Sequence, residues 1–110
     1  KHMPRAMSEA DIDETIDDFV RCALLAQEAG YDGVEIHGAH GYILCQFFSE
    51  ETNRREDEYG CSLQNRYRIL EEIIDGVRHN CRQDFQLGVR LFPKGVVSKQ
   101  RKRQRWLSAT

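Results

Sequence analysis

The 110-residue chain has no apolar run approaching the ~18–20 positions that a membrane span requires, and no signal-peptide pattern opens it. A cytoplasmic protein with no membrane partner is therefore expected. Cysteine pairing is missing as well. Cys22, Cys45, Cys61 and Cys81 stand far apart at irregular spacing, with neither a CxxC pair nor a His/Cys ladder of the kind that holds zinc. Secreted disulfide scaffolds pack cysteine more densely, so reduced thiols are the plain reading. No internal repeat at solenoid spacing is present.

Acidic residues are absent from the last seventeen positions, where Lys94, Lys99, Arg101, Lys102, Arg103 and Arg105 crowd together. The preceding part carries 10 basic against 18 acidic residues, so the overall charge of −2 hides an uneven distribution. A basic end can neutralise phosphates, and nucleic-acid binding through it would be salt-sensitive. Only Trp106 is aromatic among those charges, which favours a solvated, disordered tail over 94–110 instead. Lys1-His2-Met3-Pro4, at the other end, reads as the interior of a longer protein.

What is present is clear periodicity. Ser8 and Asp11 stand in capping-box relation, and Ile12, Ile16, Phe19, Val20, Ala23 and Leu24 recur at helical spacing behind them. Gly30 sits where a left-handed C-terminal cap is wanted. Gly33 to His37 alternates apolar and polar positions as a strand does. Gly38, Ala39 and Gly41 then allow a tight turn beside a ligand. A short helical segment from Tyr42 to Phe48 precedes a polar stretch from Ser49 to Cys61, and connections that long are often functional. Ser62 can cap a second helix with Ile69, Leu70, Ile73, Ile74 and Val77 as its buried stripe. A second strand, Phe85 to Phe92, ends at Pro93.

A strand, a helical crossover and a second strand form a βαβ unit, whose strands pair in parallel. Two such strands lack neighbours on their edges, whereas a complete (β/α)8 barrel takes eight units and about 250 residues. The fold class expected is α/β: about two parallel strands with flanking helices, an incomplete TIM-barrel segment over 1–93.

Ligands gather at the carboxyl ends of parallel strands. There the first strand leads into His37-Gly38-Ala39-His40-Gly41-Tyr42, and the second carries Arg90. Histidine and tyrosine can donate hydrogen bonds to an oxygen that gains negative charge, tyrosine can deliver a proton, and arginine suits an anionic edge. His37 and His40 could instead hold a metal, but no third ligand stands at suitable spacing, and no metal site is expected. On spacing alone, structural histidines beside a turn explain the pair equally well.

The segment Ala29 to Tyr42 resembles the signature of the old yellow enzyme family of FMN-dependent oxidoreductases. Gln46-Phe47, Thr52-Asn53-Arg54-Arg55, Asp57, Tyr59-Gly60, Ser62-Leu63, Asn65-Arg66 and Gly88-Val89-Arg90-Leu91 continue that pattern in register. The match runs from about Met7 to Pro93, roughly a quarter to a third of a family catalytic domain. Cys61 stands where the pattern usually has a second glycine, a turn that cysteine would strain, and Gln64 replaces a common glutamate.

The resemblance implies that His37 and His40 bind the electron-withdrawing oxygen of an activated alkene or enone, that Tyr42 protonates its carbon, and that Arg90 lies near the flavin ring. It implies FMN and NAD(P)H as cofactors and reduction of activated C=C bonds, with the isolated chain expected to be inactive. The alternative is a non-enzymatic interaction or scaffold protein that self-associates through open sheet edges.

Overall fold

The computed structural model describes residues 5–39 and 43–91, together with the backbone of 105–108. The element order is α1 (Glu9–Glu28), β1 (Gly33–Gly38), α2 (Ile43–Phe48), α3 (Leu63–Arg66), α4 (Arg68–Asn80), β2 (Gln86–Leu91) and β3 (Arg105–Ser108).

Helix α1 begins as its sequence dictates. The Ser8 hydroxyl accepts from the Asp11 amide at 3.1 Å, and the Asp11 carboxylate accepts from the Ser8 amide at 2.9 Å, completing a capping box. It ends at Gly30, whose φ of 97° is open to glycine. The Gly30 amide donates to Gln27 and the Tyr31 amide to Ala26, the two reversed bonds that close off the last carbonyls of a helix.

Strands β1 and β2 pair in parallel, from Gly33 opposite Gln86 to Gly38 opposite Leu91. Because side chains alternate across a strand, this register sorts them into two sets. Ile36, Leu87 and Val89 join Ile12, Ile69, Ile73, Val77 and Phe85 in one buried cluster between the sheet and α1 and α4. Glu35, His37, Gly88 and Arg90 occupy the opposite face. The hydrophobic core thus lies entirely on one side of the sheet, and the polar residues of both strands share the other.

The helix expected from Ser62 onward is two helices. Ser62 does cap the first, accepting from the Asn65 amide at 3.1 Å, but the backbone breaks at Tyr67 before α4 resumes. The Tyr67 ring is thereby laid flat against Phe48, with centroids 4.2 Å apart. Phe48 in turn closes on the end of β1: a Cβ at Gly38 would meet Phe48 at 3.0 Å, Leu91 at 2.9 Å and the Arg90 carbonyl at 3.1 Å.

Within 94–110, expected as a disordered basic tail, Arg105–Ser108 forms β3. It pairs antiparallel with β2, giving the sheet order β1-β2-β3. The rest of that segment lies outside the described residues. All four cysteines are free, with Cys81 buried and Cys22 and Cys61 exposed.

Candidate active site

His37 and Arg90 are Cα partners across β1 and β2, one residue before the end of each strand. The alternation turns both toward the face opposite the helices. The two strands thus bring an imidazole and a guanidinium side by side near their carboxyl ends, where ligands bind in such sheets. His40 and Tyr42 lie outside the described residues. Helix α2 starts at Ile43, directly after Tyr42.

One neighbour was missed. The Glu35 carboxylate lies 3.3 Å from Nε of Arg90, and the two side chains are 29% and 31% exposed. Gly88, the residue opposite Glu35, has no side chain of its own, so Arg90 reaches diagonally back along the sheet to Glu35. The signal was available: Glu35 and His37 are two apart in a strand and must share a face.

The long polar connection after α2, expected to be functional, is a hydrogen-bonded brace. Asn53 donates from one amide nitrogen to the carbonyls of Phe47 and Tyr59, at 2.7 and 2.8 Å. Arg55 grips Asp57 through two nitrogens, at 3.0 and 2.6 Å, and donates to the Met7 carbonyl at 2.5 Å. That guanidinium holds the Asp57 carboxyl below the usual carboxylate range. The Tyr59 hydroxyl donates to Glu72 at 2.6 Å, and burial with this bond pushes the phenol well above its ordinary value. Arg66, 6% exposed, donates to the carbonyls of Phe48 and Cys61, at 2.8 and 3.0 Å. A cavity of about 470 Å³ lies between this brace and the segment before α1, floored by Met7, Ile43 and Phe47. Two of its arginines, Arg5 and Arg55, are already engaged by Asp11 and Asp57.

Among the described residues, no three His, Cys, Asp or Glu gather where they could hold a metal ion, and no helix is long and apolar enough to cross a membrane.

A family model described as NADH:flavin oxidoreductase / NADH oxidase matches residues 1–105. The chain belongs to that family. It is 59% identical over 75 residues to an NADPH dehydrogenase of Geobacillus sp. (strain WCH70), covering 68% of this chain and 22% of that protein. It is 50% identical over 90 residues to putative 12-oxophytodienoate reductase 4 of Oryza sativa subsp. japonica, covering 82% of the chain and 23% of the relative. The crystal structure of old yellow enzyme from Pichia sp. AKU4542 superposes with a TM-score of 0.77 at 43% identity, over 84% of this chain and 24% of that one. Morphinone reductase in complex with tetrahydroNAD gives a TM-score of 0.77 at 36% identity, over 84% and 25%. The chain therefore spans about a quarter of the length of these old yellow enzyme relatives, and its fold is an open segment of their (β/α)8 barrel, as expected.

FMN and NAD(P)H are the cofactors of the NADH:flavin oxidoreductase family. The residues present fit the electron-rich edge of a flavin ring: a permanently charged guanidinium lies on the polar sheet face, directly across from an imidazole.

Proposed function

We propose that this chain is the substrate-side segment of an FMN-dependent NAD(P)H oxidoreductase that reduces activated C=C bonds of carbonyl compounds. The observation that carries the reading is the pairing of His37 with Arg90 on the polar face, at the carboxyl ends of two parallel strands, in a chain of this family. FMN, when bound, supplies hydride transfer, and the protein's part is to bind, orient and polarise.

His37 and His40 donate hydrogen bonds to the oxygen conjugated with the alkene, withdrawing electron density from the double bond. Tyr42 delivers a proton to the carbon. Arg90 presents positive charge where the electron-rich edge of the flavin would lie. The roles of His40 and Tyr42 rest on the family pattern of the sequence, and that of His37 on both pattern and position.

The isolated chain turns over little or nothing, because it spans only 22–25% of the relatives' length and, among the described residues, β1 pairs on one side alone. The test is an FMN titration followed by flavin fluorescence and circular dichroism, then NADPH oxidation with an activated enone. Weak saturable binding, lost in Arg90→Ala, without steady-state turnover is the expected result. Binding that ignores Arg90→Ala would defeat the site assignment, and robust turnover would defeat the claim of inactivity.

The same one-sided pairing of β1 favours a second reading, a scaffold that recruits a complementary strand at this edge. Self-association in sedimentation, unaffected by FMN and by Arg90→Ala, would select it.

A further inference from the structure

We infer that Glu35 is a positioning residue for Arg90, anchoring the guanidinium on the polar sheet face so that it meets the flavin level with His37. The inference rests on the functional reading above and extends it to a residue which that reading does not use.

The ion pairs of this chain differ in what they tie together. Arg21, Arg55 and Arg82 each meet a carboxylate two or three residues away, and Arg5 meets Asp11 six residues away, so these pairs shape the local chain. Arg66 reaches Glu50, but its short bonds go to the Phe48 and Cys61 carbonyls of the brace. Arg90 and Glu35 come from different strands and hold no turn or helix end together. The parallel pairing of β1 and β2 already runs through six residue pairs and is backed by the apolar cluster. A salt bridge is not needed to set that register.

The contact instead decides where one cation points. An arginine on a strand can extend toward the carboxyl rim or fold back over the sheet, and its flexible stem favours neither strongly. Gly88 leaves space beside Arg90 on its own strand, and Glu35 lies diagonally across that space. The contact is a charge pair at Nε, the innermost guanidinium nitrogen, 3.3 Å from the carboxylate and without a hydrogen bond at that nitrogen, so attraction between the charges, not bond direction, draws the root of the group toward Glu35. Pre-setting a side chain in this way lowers the cost of ordering it when a ligand arrives. Three residues of alternating position, Glu35, His37 and Arg90, then act as one surface.

The test uses the whole chain, labelled with ¹⁵N, and needs no turnover. Glu35→Gln keeps the shape of the side chain and removes its charge. The Arg90 Nε–H resonance, assigned by its loss in Arg90→Lys, is expected to exchange slowly with water in the native chain and at least tenfold faster in Glu35→Gln. The backbone amides of Val34, Ile36 and Val89 should stay in place. Glu35→Asp, one methylene shorter with the charge retained, is expected to restore part of the protection; it also serves if Glu35→Gln fails to fold. In parallel, FMN binding read by NMR at millimolar ligand is expected to weaken about tenfold in Glu35→Gln. An Arg90 resonance unchanged in Glu35→Gln overturns the anchoring. A changed resonance with unchanged FMN binding overturns its role toward the flavin. If the native chain shows no FMN binding at all, the functional reading fails, while the exchange comparison still accepts or rejects the anchoring.

Discussion

Cys61 has a φ of 77°, the one left-handed non-glycine residue among those described. Its backbone carbonyl is needed there, because Arg66 donates to it at 3.0 Å. The turn therefore keeps its shape at a cost that a side chain imposes and glycine would not. Cys61→Gly is expected to stabilise the chain by about 1 kcal/mol, seen as a higher urea midpoint at unchanged slope. That the family pattern places glycine here made this strain legible in advance. Arg66 was less legible. A charged side chain ordinarily belongs at the surface, yet this one is buried between the Phe48 and Cys61 carbonyls. Arg66→Met would leave both acceptors without a partner, and a loss of about 3 kcal/mol is expected in the same assay.

Elements with strong periodicity were readable before the structure, because their chemistry is local. The capping box of Ser8 and Asp11 and the left-handed Gly30 need only a few neighbouring residues to act. The break at Tyr67 was not readable, since it depends on Phe48, nineteen positions earlier, stacking on the Tyr67 ring. The bracing within 49–61 was not readable for the same reason: the length of the connection suggested function, but not that Asn53, Arg55 and Asp57 satisfy one another and nearby carbonyls. This element should titrate. Asp57 ionises more readily folded than unfolded because Arg55 is bonded to it, so it adds stability above the ordinary carboxylate pKa of about 4. That contribution is lost as pH falls through the lowered folded value. Asp11, pushed down to about 2 by Arg5 and the Ser8 amide, follows the same sign. Asp57→Asn is therefore expected to lower the urea midpoint at neutral pH and to flatten its fall between about pH 5 and pH 2; an equally steep fall in the variant would refute the assignment.

At the scale of the whole molecule the sheet is asymmetric. β2 has a partner on each side, β1 in parallel and β3 antiparallel, whereas β1 has β2 alone among the described residues. Composition gave no hint of β3, because a run of like charges normally argues for solvated chain. A variant ending at Leu91 would open the second edge of β2. It is expected to show concentration-dependent association in sedimentation velocity beyond that of the full chain. If the shortened chain sediments no differently, β3 contributes no protection.

The division of the two strands into a core set and a polar set carries a consequence for how such a sequence can change over time. Val34, Ile36, Leu87 and Val89 answer to packing, while Glu35, His37 and Arg90 answer to whatever lies on the far side. The two sets interleave letter by letter yet share no contact surface, so each can drift without disturbing the other. A single-residue deletion inside either strand has no such latitude. It would exchange the two sets beyond the deletion, turning charges into the helices and aliphatic side chains toward the opposite face.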